Sequence, residues 1–249
     1  MNIFEFFTIV ERYHTIQNPT SVEKLDLAAS YCGIRDGMRI LDVGCGKGWL
    51  LRRLAKRFDI RVTGLEIIPT FAAEARSLAE AEGLSERIQI VEGPALEFLA
   101  EPSSFDVVMC IGAAFALDGF EPALDWMKRA AKPGGIVAIG EVFAKELPYP
   151  TEVPRAGRAA MDYPERYLWA TIETMRAHGL PLRGMIEATT DDWDRYESLH
   201  WQAAMDWALE NPQDPDAAKF KSQAGLRRYI ELDRRYVGWA IFVARNGMD

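Results

Sequence analysis

Three glycines at alternate positions, Gly44, Gly46 and Gly48, follow an apolar run from Arg39 to Val43 that carries Asp42. Without a Cβ at these positions the chain turns tightly, and its backbone can approach a flat adenosine ligand. Beyond the turn, Leu50, Leu51, Leu54, Ala55 and Phe58 share one helical face. Arg61 to Glu66 reads as the next strand and ends in an acid. Glu66 lies about 20 residues past the first glycine, the offset at which a carboxylate accepts hydrogen bonds from a ribose diol. Its other reading is a solvated strand-end charge. The spacing D-x-G-x-G-x-G differs from the G-x-G-x-x-G of nicotinamide sites.

These groups need a scaffold, and the periodicity supplies one. Strands are expected at 39–43, 60–65, 87–91, 105–111 and 135–142, with helices between them. Those helices follow the glycine turn and run over 69–81, 95–99 and 121–131. Pro69 suits a first helical turn, and Pro133-Gly134-Gly135 turns into the fifth strand. Such alternation implies an α/β fold, a mostly parallel sheet with helices on both faces. Before it, Asn18-Pro19 interrupts the chain. Thr20 or Ser21 then opens a helix that Gly33 ends. After Val142, the four prolines Pro148, Pro150, Pro154 and Pro164 mark an irregular connection. A helix over 164–178, a sixth strand at 182–188 and a closing strand at 238–244 are expected. Between the last two strands lies a helical stretch that Asp191-Asp192 caps and Asn211-Pro212 breaks. The organisation read here is one domain over 1–249. Residues 1–20 form an N-terminal cover, and about 190–235 form a helical lid insertion before the last strand.

Composition narrows the function. Of 249 residues 49% are apolar and 27% charged, which fits a globular chain and not a disordered one. No apolar stretch is long enough to span a membrane. The opening Met1 to Phe7 lacks a basic leader, so a cytoplasmic protein is expected. A net charge of -8 argues against broad nucleic-acid binding. Cys32, Cys45 and Cys110 are too widely spaced for a disulfide framework or a zinc knuckle.

The glycine motif, with Glu66, Phe105 to Ile111 and Lys132 to Val137 at ordinary spacing, resembles the class I S-adenosylmethionine (SAM) dependent methyltransferases. It covers Ala28 to about Val142. The His14-to-Pro19 stretch and the Trp193-to-Glu197 helix are similar to a bacterial small-molecule-type subgroup without an assigned substrate. The resemblance implies a Rossmann-like sheet, SAM as cofactor and a small-molecule methyl acceptor. It implies donor contacts from Asp42, Gly44, Cys45, Gly46, Glu66, Ile67, Gly93, Ala95, Ile111 and Gly112. One departure is Pro94, which stands where the family often has an acid near adenine, so adenine contact there would come from backbone atoms or from a neighbour such as Glu97. Signatures of amino-directed DNA, cytosine-carbon and arginine methyltransferases are absent from the sequence. A catechol-type metal site would need acids after the fourth and fifth strands. Only Glu141, opposite Gly112, fits, so no metal is expected.

A sulfonium donor carries its own activated methyl group, so a base is needed only if the acceptor loses a proton. His14, Glu141, Tyr196 and His200 are the candidates for acceptor orientation or proton removal. Each has a plainer reading. Trp193, Tyr196, His200, Ala203 and Trp207 recur at helical spacing, as packing residues do. His14 could be a satisfied core histidine and Glu141 a solvated strand end. A donor-binding sensor or partner subunit without turnover is the alternative function.

Overall fold

The computed structural model describes residues 1–146, 166–222 and 224–247. Most of the expected proline-rich connection, including Pro148, Pro150, Pro154 and Pro164, lies outside the described residues. Seven strands form one sheet in the order β3-β2-β1-β4-β5-β7-β6. They are β1 (Arg39–Val43), β2 (Arg61–Glu66), β3 (Ile88–Glu92), β4 (Phe105–Ile111), β5 (Ala131–Ala144), β6 (Leu182–Glu187) and β7 (Val237–Arg245). The first five are mutually parallel, and β7 runs antiparallel to both β5 and β6.

Alternation along the strands builds two cores. Ile40, Val62, Val107, Met109, Ala138 and Ile241 pack on one face with α2 (Val22–Cys32) and α3 (Trp49–Arg57). Leu41, Val43, Val108, Cys110, Val137, Ile139 and Phe242 pack on the other. There they meet α5 (Phe120–Ala130) and Met175 of α6 (Leu168–Ala177). Both faces are therefore covered, as a parallel sheet requires. Burial pushes the Cys32 thiol up to about 12, the behaviour of a packing thiol rather than a nucleophile.

The elements refine the sequence reading. Ser21 is the N-cap of α2, accepting from the Lys24 N–H, and Gly33 ends that helix with φ +66°. The apolar start of the chain is a helix, α1 (Ile3–Val10), closed by a reciprocal Asn2–Glu5 capping box. The helix after β6, α7 (Thr190–Glu210), is capped by Thr189 and not by the Asp191-Asp192 pair. Asp192, the third helical residue, is the partner that completes the box. The Asn211 break is present, and α8 (Ala217–Lys221) follows it. Strand β5 begins four residues earlier than expected. Phe105 pairs with Ala131 and Val107 with Ile136, so the Pro133–Gly135 turn is looped out inside the strand. The expected helix at 95–99 is a single 3₁₀ turn, Ala95–Glu97.

Candidate active site

Strands β2 and β3 lie on one side of β1, and β4 and β5 on the other. The order in which strands are added therefore reverses at the β1–β4 boundary, where a parallel sheet opens a crevice beyond the carboxyl ends of its strands. The glycine turn leaves β1 there. Gly44 and Cys45 N–H groups donate to the Leu65 carbonyl at 2.9 and 3.0 Å. Gly46 N–H donates to Glu66 Oε2 and Ile68 N–H to Glu66 Oε1, both at 2.8 Å. Glu66 thus ties the turn to the start of α4 (Pro69–Ala81). Burial pushes its carboxyl up, and the Ile68 and Gly46 N–H groups pull it back. Each oxygen keeps a further lone pair, so a diol fits beside these bonds.

Asp42, next to the end of β1, is buried, and no described group hydrogen-bonds its carboxylate. Burial, then the charge of Glu66, pushes it up to about 8. A cationic ligand would compensate that carboxylate, which fits a sulfonium donor. The pH dependence follows. From about the ordinary carboxylate value of 3.8 up to about 8, the folded chain holds a proton that the unfolded chain has lost. Stability of the ligand-free protein should fall as pH rises through that window, by up to about 1.4 kcal/mol per unit, and level off above it. Asp42→Asn should flatten that slope in urea melts taken between pH 6 and 8. An equal slope in the variant would assign the dependence to another group.

The N-terminal segment sits on this turn. Gly46 has φ +55°, and a Cβ there would collide with the Gln17 amide. Gly112, just after β4, has φ +80°, and a Cβ there would collide with the Asn18 amide. Gln17 Oε1 accepts from the Lys47 N–H at 2.9 Å. The buried Lys47 ammonium donates to the Glu11 and Arg12 carbonyls at 3.1 and 3.3 Å. It therefore caps the end of α1 from inside the glycine loop. Arg12 pairs with Glu210, and the Tyr13 hydroxyl donates to Asp206, both on α7.

Three of the four candidate bases meet. His14 Nε2 lies 2.9 Å from the Tyr196 carbonyl oxygen, and His14 Nδ1 lies 3.2 Å from Glu11 Oε2. Tyr196 OH donates to Glu11 Oε1 at 3.1 Å, and His200 Nε2 lies 2.8 Å from the same oxygen. Burial lowers His14, with Glu11 opposing. Burial also pulls on His200, but Glu11 and Glu197 outweigh it and hold it up at about 9. Glu141 stands apart on β5 and accepts from its own neighbour, the Val142 N–H. Burial raises it, while the Val142 bond and Arg166 draw it back.

The remaining candidates lie at or just after the carboxyl ends of β2, β3 and β4. Ile111 is buried at the end of β4, and Gly112 N–H donates to the Gly140 carbonyl. Gly93 N–H donates to the Glu66 carbonyl at 2.9 Å, Ala95 is buried and Ile67 is exposed. Glu97, one of the alternatives for the missing acid, is exposed. Glu11 and Lys47 had carried no signal of their own in the sequence. A cleft of about 200 Å³ lined by Arg39, Arg61, Glu86 and Phe105 lies at the opposite, amino-terminal edge of the sheet, away from this chemistry.

A seven-stranded sheet of this order, with a glycine turn after β1 and an acid ending β2, defines a Rossmann-like class of nucleoside-binding enzyme. Residues 40–135 match the methyltransferase domain family. The chain is 32% identical over 244 residues to the uncharacterized protein YjhP of Escherichia coli, covering 97% of this chain and 98% of that one. The X-ray structure of YjhP superposes with a TM-score of 0.87 at 31% identity, over 96% of this chain and 98% of that one. A SAM-dependent methyltransferase from Geobacter sulfurreducens, solved with S-adenosyl-L-homocysteine, gives 0.87 at 30% identity, over 96% and 97%. Erythromycin 3''-O-methyltransferase of Saccharopolyspora erythraea is 33% identical over 130 residues, 49% of this chain and 40% of that one. The chain belongs to the class I SAM-dependent methyltransferases, close to the YjhP-like bacterial proteins, and SAM is its cofactor.

Proposed function

We propose that the chain transfers the methyl group of SAM to a small-molecule acceptor by in-line displacement. The observation that carries this reading is the N-terminal segment, whose Gln17 and Asn18 amides cover the two glycines flanking the donor crevice. A crevice closed by the chain's own amides suits a small acceptor better than a polymer. The erythromycin enzyme, named for a small substrate, supports the same class. No described helix is long and apolar enough to cross a membrane, and the acidic balance favours neither nucleic acid nor an anionic surface. A cytoplasmic location accords with these features.

When bound, SAM supplies a sulfonium-activated methyl group, so this step asks no metal of the protein. Gly46 and Glu66 hold the nucleoside, and the Asp42 carboxylate balances the donor's positive charge. Residues 1–20 and α7 exclude water and fix the acceptor in line. Glu141 orients the acceptor. His14, Tyr196 and His200 act through Glu11 by holding the cover in place.

Turnover of SAM to S-adenosylhomocysteine across a metabolite panel tests the activity. An acceptor should release product, and Glu141→Gln should slow that release by about tenfold with donor affinity unchanged. A partner subunit without turnover would form no product with any acceptor. Hydrogen exchange tests the cover. Addition of S-adenosylhomocysteine should slow exchange at His14–Thr20 and Asp191–Trp201. Protection confined to Gly44–Glu66 would remove the cover assignment.

A further inference from the structure

We propose that Glu11, His14 and His200 form a binding site for one divalent transition-metal ion of the zinc class, which staples the N-terminal segment to α7. The ligand atoms of these three residues all lie within 4.8 Å of one another. Two come from the segment after α1 and one from a helix 189 residues further along the chain.

Hydrogen placement carries the argument. The Tyr196 carbonyl can only accept, so His14 Nε2, 2.9 Å away, bears the hydrogen. In the neutral ring Nδ1 then presents a lone pair. It faces Glu11 Oε2, also an acceptor, at 3.2 Å. Both atoms are fully buried, and neither has a hydrogen-bond partner. Two facing acceptors in a dry interior favour a positive centre between them, and the proton that His200 Nε2 holds against Glu11 Oε1 at 2.8 Å is released when the ion takes that nitrogen. A proton on Nδ1 would make an ion pair with Oε2 at 3.2 Å, but the two atoms form no hydrogen bond. A tetrahedral ion fits that spacing. With bonds of about 2.05 Å it holds adjacent ligand atoms about 3.3 Å apart and off each other's axis.

The surroundings fit the same centre. A ligating imidazole is oriented by its other N–H on a carbonyl or carboxylate. His14 has the Tyr196 carbonyl for this, and His200 Nδ1 has Glu197 Oε2 at 3.8 Å. Glu11 and Glu197 together balance a divalent charge. The Lys47 ammonium nearby is tied to the Glu11 and Arg12 carbonyls and lies 3.6 Å from Glu74. The Tyr196 hydroxyl, 3.1 Å from Glu11 Oε1, adjoins the fourth position. Two imidazoles and one carboxylate suit zinc and its first-row neighbours. His200 is the most accessible ligand, with its side chain 19% exposed, and gives the ion a way in.

The test uses the full chain, freed of metal by a chelator, and titrates it with Zn²⁺ and Co²⁺. One equivalent should bind, Co²⁺ should give the visible absorption of a tetrahedral nitrogen–oxygen site, and Zn²⁺ should raise Tm by about 5–10 °C at a hundredfold excess over Kd. His14→Gln and His200→Gln should each weaken binding by about a hundredfold or more. Binding unchanged in both variants, or a thiolate charge-transfer band, would overturn the site. If a variant does not fold, the wild-type chain decides alone. Absence of both the Co²⁺ band and the Zn²⁺ shift would leave the cluster as a hydrogen-bonded latch and the proposal refuted.

Discussion

Gly46→Val should leave the sheet folded and remove donor binding, with affinity for S-adenosylhomocysteine falling by about a thousandfold or more. Three effects add at this residue. The backbone holds φ +55°, which a β-branched side chain enters only with strain of roughly 1–2 kcal/mol. The new Cβ would also collide with the Gln17 amide and so displace the N-terminal segment from the turn. Displacing the turn would in turn break the 2.8 Å bond from Gly46 N–H to Glu66. A combined loss of about 4 kcal/mol corresponds to the stated fold-change. The sheet cores lie elsewhere, so far-ultraviolet circular dichroism should be retained. Calorimetry decides the matter. Affinity within tenfold of the wild type, in a folded variant, would show that the ligand does not approach this turn.

Glu66→Ala should weaken S-adenosylhomocysteine binding by about a hundredfold or more and lower stability at the same time. The side chain has two tasks. Its oxygens already accept from Gly46 and Ile68, and its remaining lone pairs are those offered to the diol. Hydrogen bonds to a charged group contribute about 1.5–3 kcal/mol each. Losing the diol contacts lowers affinity, and losing the brace loosens the turn and the start of α4. Glu66→Gln separates the two. An amide keeps one acceptor oxygen but turns its NH₂ toward a backbone donor, so one brace bond is lost while the shape is kept. Its affinity and melting temperature should fall between those of wild type and Glu66→Ala. A Glu66→Ala protein that binds with unchanged affinity would leave Glu66 as a structural brace only.

Much of this architecture was legible along the chain, for a physical reason. Strand and helix periodicities are local, and so are glycine turns and caps. Ile40 and Val62 alternate with Leu41 and Thr63 whatever the rest of the molecule does, and a glycine requirement follows from backbone geometry within a few residues. Right-handed crossovers then leave few arrangements for five successive βα units. That is why Gly44, Gly46, Glu66 and Gly112 stand out as candidates from spacing and resemblance, and why a crevice at the carboxyl ends of β1 and β4 could be expected.

Other features were settled only by packing between distant segments. Strand β7 pairs antiparallel between β5 and β6, a choice its own apolar run does not encode. Thr189 displaced the acidic pair as the cap of α7 because an N-cap must have extended backbone, which propensity alone does not reveal. Lys47 stands among the spacer residues of the glycine motif, yet its ammonium reaches the carbonyls at the end of α1. Glu11 carries no local signal at all. It acquires a role because α1 and α7 pack side by side and bring His14, Tyr196 and His200 to one carboxylate. The sequence by itself determined the donor frame, since that rests on backbone conformation and short-range periodicity. The tertiary structure decided how the N-terminal segment and α7 meet in a buried cluster, since that rests on side chains separated by up to 189 residues, whose meeting depends on how whole elements pack.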